Sequence, residues 1–366
     1  MKRSVAIIGT RGYPSFYGGF ETLLRQLCPY LAEDDWDVTV YGRDAKVLAN
    51  GELADSRINS VITRGIESKS ASTLSYGLTS TVHAARTKPD VALVMNVANG
   101  FWLPILKARG VPTVVNVDGI EWEREKWGQA AKGAFKAGAF LTAKYADKLV
   151  FDANEIGKKW DREFGRDGSF IPYGGAEPPQ SEPVDGFPHR GYVLMVARFV
   201  PENTIEQFFD AAEEVSRKWP VAIVGSSGYG GDLDSRAHQL ASQFENIHWF
   251  GHMSDDAKLF ALWQHAGAYF HGHSVGGTNP ALVQAMACSA PIVARDTVFN
   301  REVLDSSAVF VQPTAASISD GLMRVLSDPS LMSSLSQGAK LRQEVHYTWD
   351  SVCKKYSDLL RSSVKR

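Results

Sequence analysis

The segment HGHSVGGTNPALVQAMA, His271 to Ala287, sets a glycine pair and small polar residues in front of a run that reads as helix. Asn279 suits the N-cap and Pro280 the first helical position, where an N–H would go unpaired in any case. A loop entering a helix in this way offers backbone N–H groups and the helix dipole to an anion. Gln284 lies one turn inside, on the side of Pro280. Because helical side chains lean toward the N-terminus, its amide is expected to reach back to whatever the helix start holds. His271 and His273 alternate with glycine and serine. With no third ligand in view, hydrogen bonding or packing competes with a metal pair, and His273 joins the candidate substrate-binding set.

Other stretches place glycines or polar groups directly after short apolar runs. In GTRGYPSFYGGFE, Gly9 to Glu21, Gly18 and Gly19 fall where a helix should start. They either let free N–H groups approach an anion or a sugar hydroxyl, or simply make a tight turn, although the loop is longer than a plain connection needs. Asp118, in VVNVDGIEWER, can meet an acceptor hydroxyl or a developing positive charge on a sugar carbon, or form an Asp turn or helix cap. Glu121 and Glu123 read as solvated acids at a helix start. Arg198, in MVARFVPENTIEQF, suits a diphosphate because its planar fork donates two hydrogen bonds at once. Asn203, near the next helix start, caps that helix or touches phosphate. Asp35 with Asp37, and Asp232 with Asp234, have the spacing of a metal pair but read as solvated faces.

The elements that must position these residues recur twice. Short runs rich in valine and isoleucine alternate with helix-like stretches, the pattern of a parallel sheet covered by helices. Strands are predicted at 4–10, 37–41, 91–96, 113–118 and 148–153, then at 192–198, 221–225, 248–251, 268–271, 291–295 and 308–312. Each half opens strand, loop, helix, as a Rossmann-like unit does. Phe20, Leu23, Leu24, Leu27 and Leu31 make one apolar stripe, with Pro29 expected to end or kink that helix early. Ile205, Phe208, Phe209, Ala212 and Val215 make another. Between the halves, IPYGGAEPPQSEPVDGFPHRG is dense in proline, glycine and acids and reads as a linker crossed by few contacts. Trp349, Val352, Tyr356, Leu359 and Leu360 mark a terminal helix or helix pair from about Leu341. In open parallel sheets ligands sit beyond the carboxyl ends of the strands, which is where the candidates fall.

At 366 residues, with 44% hydrophobic and 22% charged residues, the chain is long enough for two separate cores and is not compositionally disordered. A net charge of −2 gives no global reason to expect nucleic acid. Three cysteines, Cys28, Cys288 and Cys353, are far apart and lack metal-ligand spacing, which argues against a disulfide framework or zinc site and for a reducing, cytoplasmic setting. The basic N-terminus is followed by an apolar run only from Val5 to Ile8, too short for a signal peptide, and no stretch reaches membrane-span length. Between Trp122 and Lys148, aromatics interleave with Lys126, Lys132, Lys136, Lys144 and Lys148. Such a helix can lie on an anionic bilayer or can be a solvated amphipathic cover on the sheet.

Taken in order, these positions resemble the retaining family 4 enzymes among the GT-B glycosyltransferases, over nearly the whole chain. GTRGYPSFYGGFET, VNVDGIEWEREKWG, ARFVPENTIE and HSVGGTNPALVQAMA with PIVARDTVFNREV are most similar to the rhamnosyltransferase-like subgroup that builds bacterial surface polysaccharides. The resemblance implies two Rossmann-like parallel-sheet α/β domains facing a cleft. Residues 1–172 would bind acceptor, 173–190 link, 191–340 bind the nucleotide sugar, and 341–366 form a helix packing back on the first domain. It assigns Arg198, with the amides of Gly277, Thr278 and Asn279, to the departing diphosphate, and Gly18 and Gly19 to the diphosphate and transferred sugar. Asp118 falls near the anomeric carbon, and Gly251, His252 and Met253 at the nucleobase. No cofactor or metal is implied. The sequence departs from the broad family at Asn203, where lysine is usual, and at Gly276 and Gln284, where that family carries glutamates. The subgroup usually lacks the first glutamate and keeps the second. Glutamine accepts through one oxygen and carries no charge, which bears on ribose recognition.

The function so implied is transfer of a sugar, with retention, from a nucleoside diphosphate donor to a lipid-linked or glycan acceptor. Rhamnose from a thymidine diphosphate donor is the leading choice. The setting is cytoplasmic, with peripheral membrane contact through Lys126, Lys132 and Lys136. A nucleotide-sugar epimerase or hydrolase on the same fold would turn over without acceptor. A non-catalytic nucleotide-sugar-binding protein would bind donor without transfer.

Overall fold

The computed structural model describes residues 2–15, 18–43, 55–67, 72–125, 127–228 and 230–364. They fall into two units, Met1–Tyr173 with Trp349–Arg366, and Gly174–Thr348. Lys126 lies outside the described residues.

The first unit carries strands β1 (Arg3–Ile8), β2 (Trp36–Gly42), β3 (Ile58–Ile62), β4 (Val91–Met95), β5 (Thr113–Asn116), β6 (Lys148–Phe151) and β7 (Ser169–Phe170). Among the described residues these form one parallel sheet in the order β3-β2-β1-β4-β5-β6-β7. Its helices are α1 (Gly19–Glu33), α2 (Ser72–Thr87), α3 (Leu103–Ala108), α4 (Gln129–Tyr145) and α5 (Asn154–Phe164). β4 is buried at every residue, as a strand covered on both faces must be, which is why it reads as an unbroken apolar run. β3 and β7 were not foreseen. β3 buries only Ile58, and β7 is two residues long, so neither carries a strand's apolar signal.

The second unit carries β8 (Val193–Val196), β9 (Val221–Val224), β10 (Ile247–Trp249), β11 (Ala268–His271), β12 (Ile292–Arg295) and β13 (Ala308–Val311). They are parallel and ordered β10-β9-β8-β11-β12-β13. Helices α6 (Ile205–Val215), α7 (Asp232–Gln243), α8 (Asp256–His265), α9 (Pro280–Ala287), α10 (Val298–Leu304), α11 (Ala315–Ser327) and α12 (Pro329–His346) accompany them. Phe208 and Phe270 stack at 5.1 Å in a core that also takes Ile223, Val293 and Leu322. The expectation of two parallel-sheet α/β units is met.

Three expectations are corrected. Pro29 does not stop α1, which runs on to Glu33. Leu23, Leu24, Leu27 and Leu31 are fully or almost fully buried, and roughly 2 kcal/mol for each outweighs the ~3 kcal/mol of an interior proline. The final helical stretch does not begin near 341. Residues 341–346 complete α12 in the second unit, the helix is interrupted at Tyr347 and Thr348, and α13 (Trp349–Ser363) belongs to the first unit. There Trp36 Nε1 donates to Ser357 Oγ at 3.0 Å, and Asn116 Nδ2 to Tyr356 Oη at 2.7 Å.

The third correction concerns the expected linker. Its residues from Gly174 onward belong to the second unit, and side chains of that unit bond its backbone in sequence. Gln343 Nε2 donates to Gly175 O at 3.2 Å, Gln284 takes both the N–H and the carbonyl of Ala176, and Gln264 Nε2 donates to Pro179 O at 2.9 Å. His265 Nε2 lies 2.9 Å from Ser181 O. A proline-rich segment cannot satisfy its own carbonyls through a helix or sheet ladder, so partners from outside the segment do it.

Candidate functional site

Both sheets reverse strand order once, between β1 and β4 and between β8 and β11, and the loops leaving β1, β8 and β11 hold most of the candidates. Such a reversal opens a crevice at the carboxyl edge of a sheet.

In the first unit the loop after β1 is fixed by close backbone approaches. Gly9 has φ +95°, and a Cβ there would lie 2.4 Å from Met95 O. Gly42, ending β2, passes so close to Gly12 that a Cβ on Gly42 would lie 2.6 Å from the Gly12 Cα. Arg43 N donates to Arg11 O at 3.1 Å. Gly18 is the extended N-cap of α1 and Gly19 its first residue. Glu21, given no role in the sequence reading, is only 6% exposed and accepts from Arg11 N at 3.0 Å. A Cβ on Gly18 would come within 3.2 Å of its Oε2. Gly18 therefore makes room for a buried carboxylate that ties down the loop.

Asp118 follows β5 with φ +63° and Asn96 follows β4 with φ +70°, two non-glycine residues in the left-handed region. Asn96 Nδ2 donates to Asp118 Oδ2 at 3.2 Å, and Asp118 N donates to Asn116 Oδ1 at 2.9 Å. Asn116 in turn bonds Tyr356 on α13. Burial drives the Tyr356 and Tyr173 phenols well above the ordinary range, and Asp118 adds to the effect at Tyr173. Backbone strain of this kind costs ~1–3 kcal/mol and persists where surroundings over-determine it; here α13 supplies part of that support. Glu121 is not solvated. It is buried, paired with Arg124 Nε at 2.6 Å, and accepts from Trp127 Nε1 at 2.7 Å. Asp234 is likewise buried, accepting from the backbone of Ser227 and Gly231.

In the second unit the loops after β8 and β11 are stitched together. Thr204, at φ +58°, donates from Oγ1 to Gly272 O at 2.6 Å and accepts from Arg295 Nη1 at 3.0 Å. Ser274 donates through N and Oγ to Glu202 O, both at 2.9 Å. Gly272 has no room for a Cβ, which would lie 2.4 Å from Asn203 O. Asn203 is buried, and its Nδ2 donates to Arg198 O at 2.8 Å. Its side chain thus shapes the Arg198 turn, while the Arg198 side chain is exposed. Arg295, passed over in the sequence reading, brings a second cation to this edge; an arginine ending a strand was the available signal.

Asn279 caps α9 as its type suggests, accepting from Ala281 N at 2.9 Å and Leu282 N at 3.4 Å. Those two amides are therefore occupied and Pro280 has none, so any anion contact falls to the backbone of 276–279, where Gly276 has φ +99° and Thr278 is buried. Gln284 does not reach back to the helix start. Its Oε1 accepts from Ala176 N at 2.9 Å and its Nε2 donates to Ala176 O at 2.8 Å. His271 and His273 stack with ring centroids 4.4 Å apart, and Tyr269 Oη lies 3.2 Å from His271 Nδ1. Burial first, and His273 second, hold His271 far below the usual histidine range, so it is neutral. Asn300 Nδ2 donates to both His273 O and Arg295 O. Gly251, at φ +63°, accepts from Gly225 N at 2.7 Å, with His252 exposed and Met253 half-buried after it.

Residues 2–176 match the family model described as Domain of unknown function (DUF1972), and residues 181–342 match Glycosyl transferases group 1. No curated protein matches in sequence. Among solved structures, a sucrose-phosphate synthase from Thermosynechococcus elongatus is similar at TM-score 0.78 and 17% identity, covering 98% of each chain. Anabaena HepE in complex with UDP-glucose is similar at 0.75 and 13%, covering 98% of this chain and 99% of the other. An alpha,alpha-trehalose-phosphate synthase (UDP-forming) from Burkholderia vietnamiensis is similar at 0.74 and 12%, covering 99% and 97%. By fold the chain is a GT-B protein of two parallel-sheet units, and by sequence its residues 181–342 match the group 1 glycosyl transferases.

Proposed function

We propose that this protein is a glycosyltransferase that moves a sugar from a nucleoside diphosphate donor to a lipid-linked or glycan acceptor, with retention. The observation that carries the reading is the stitched pair of loops at the carboxyl edge of β8 and β11. It ties the loop of the exposed Arg198 and the half-buried Arg295 to the start of the loop that runs on to 276–279, inside the stretch that matches the group 1 model. A forked cation and aligned amides can take up the charge that grows on a leaving diphosphate, and such preorganised donors act most strongly in the transition state. Asp118, in the first unit, would meet the acceptor hydroxyl or the developing charge at the sugar carbon. No metal or other cofactor is invoked. One structural neighbour, HepE, was solved in complex with UDP-glucose; for this chain the resemblance in the sequence favours thymidine diphosphate rhamnose.

The deciding experiment is a thermal-shift panel of thymidine, uridine and guanosine diphosphates and their sugars, followed by transfer assays with membrane extract as acceptor source. Stabilisation by one sugar nucleotide and acceptor-dependent release of its diphosphate are expected. A folded protein stabilised by none of them sinks the reading, and release without acceptor would favour a hydrolase.

The setting proposed is the inner face of a membrane, approached peripherally. No helix among the described residues is long and apolar enough to cross one. Lys132, Lys136, Phe140 and Lys144 recur every fourth residue along α4, and Phe140 is 59% exposed among them. Replacing Lys132 and Lys136 with glutamate should abolish co-sedimentation with anionic liposomes, and unchanged co-sedimentation removes the membrane contact.

A further inference from the structure

We propose that the first unit holds an acceptor subsite for the phosphate group of an amphiphile, built from Arg43, Tyr76 and the rim residues Ile62 and Ile66. The subsite rests on the glycosyltransferase reading for its place in the reaction, but its parts are read from this unit alone. Arg43 follows β2, held in place by its N–H to Arg11 O and by the close passage of Gly42 over Gly12. Two arginines thus leave neighbouring backbone positions at the carboxyl edge of the sheet. The guanidinium of Arg43 lies 5.1 Å from the centre of the Tyr76 ring, within cation–π range. Its side chain is mostly buried, and its Nε is buried with no hydrogen-bond partner.

Among the described residues Arg43 pairs with Glu67, which stands 3.8 Å away on an exposed side chain, too loose for a bidentate pair. Burial and then Arg11 lower the Arg43 pKa, while Glu67, Tyr76 and Glu21 oppose them only in part. An arriving oxyanion relieves both the desolvation and the repulsion. Thr10, Thr73 and Ser80 line the same shallow recess; Thr10 Oγ1 bonds Tyr41 O and Ser80 Oγ bonds Thr63 Oγ1, so the Thr73 hydroxyl is the one suited to a phosphate oxygen.

The rim explains why the anion should carry an apolar tail. The chain after β3 also lies against Tyr76, so close that a Cβ on Gly65 would be 2.5 Å from the ring. On that segment Ile62 is 55% exposed and Ile66 is 65% exposed. Two solvent-facing isoleucines beside a buried, underpaired cation fit an alkyl phosphate better than a free sugar or a free phosphate.

The test uses the full chain with thymidine diphosphate in excess, so that a nucleoside diphosphate site is filled. Modification of each arginine by phenylglyoxal is followed by peptide mass spectrometry. Decyl phosphate, below its micelle concentration, is expected to protect Arg43 about tenfold better than inorganic phosphate, and decyl glucoside not at all. Ile62→Ser with Ile66→Ser, both exposed, should reduce protection by decyl phosphate to the level of inorganic phosphate. Equal protection by the two phosphates in the unmodified protein overturns the amphiphile, and protection by neither overturns the subsite. Arg198 reports separately in the same digest. If thymidine diphosphate protects Arg198 while Arg43 stays unprotected, the donor reading stands and the subsite falls. If Arg43 is protected and Arg198 is not, the donor reading falls instead.

Discussion

The loop after β1 and the loop after β8 occupy the same place in their sheets, yet they are held by opposite means. In the first unit a buried carboxylate, Glu21, grips the loop from the helix that follows, and glycine backbones pack without side chains between them. In the second unit Thr204, Asn203 and Ser274 each bond a carbonyl, Arg295 bonds Thr204 in turn, and Glu202 is buried in the same loop. The difference fits the charge each loop must leave available. Hydroxyls and an amide that bond carbonyls fix the backbone of this loop without drawing on the charge of the exposed Arg198.

Arg198→Ala should have the largest effect on transfer, about a 100-fold loss in kcat, the range seen when one preorganised donor to a growing negative charge is removed. Fold stability should hold, since the side chain is exposed. Steady-state kinetics and a thermal melt check both, and a loss confined to KM would mean that the arginine binds ground state and transition state alike.

The backbone half of the comparison is broken by adding one methyl group to each unit. Gly225, at φ +133°, follows β9 so near Ala197 that a Cβ would lie 1.8 Å from its carbonyl oxygen, against 2.4 Å from Met95 O at Gly9. Gly225→Ala and Gly9→Ala should each cost about 3 kcal/mol or more, because strain and overlap add. Gly225→Ala should cost more. Urea unfolding with hydrogen exchange, to assign each loss to its unit, is the measurement.

Gln284→Glu separates a clamp from a ligand contact. A carboxylate still accepts from Ala176 N but cannot donate to Ala176 O, and it sets a negative oxygen against that carbonyl. A loss of ~1–3 kcal/mol in the second unit is expected, with no gain in affinity for the nucleotide sugar. Tighter donor binding with unchanged stability would return this position to the ribose.

Acid should also tell the units apart. The second unit buries His271 neutral, with its pKa far below the unfolded value near 6.5. Above 6.5 neither state binds the proton and stability is unaffected. As pH falls below 6.5 the unfolded chain takes up a proton that the folded chain refuses. Stability should then drop by up to about 1.4 kcal/mol per pH unit from this group, and His271→Asn should flatten that slope in denaturant titrations at pH 5 to 7.

Fold class was legible because parallel strands buried on both faces leave unbroken valine and isoleucine runs, and because Asn279-Pro280 is a local helix start. What stayed hidden depends on partners distant in sequence. Gln284 has the right type for a ligand contact, yet it meets Ala176, 108 residues away. Arg43 meets Arg11 only through a strand pairing, and Glu121 looked solvated because its partners, Arg124 and Trp127, are brought in by a turn that no periodicity announces. Asn203 shows the same limit at short range. Its type suggested a cap or a phosphate contact, and neither announced the bond it makes to Arg198 O.

The smallest expected effect concerns the support under Asp118. Tyr356→Phe removes the oxygen that accepts from Asn116 Nδ2, leaving a buried donor unpaired at a cost of about 1 kcal/mol. Asn116 Oδ1 holds the Asp118 N–H, so a loosened Asn116 should let the left-handed turn at Asp118 relax. Transfer should then slow severalfold in kcat with donor affinity unchanged, because the loops proposed to hold the donor belong to the second unit. Asn116→Ala should slow it further. If Tyr356→Phe lowers stability while kcat is untouched, α13 merely packs on the first unit and the turn at Asp118 is set by Asn96 alone.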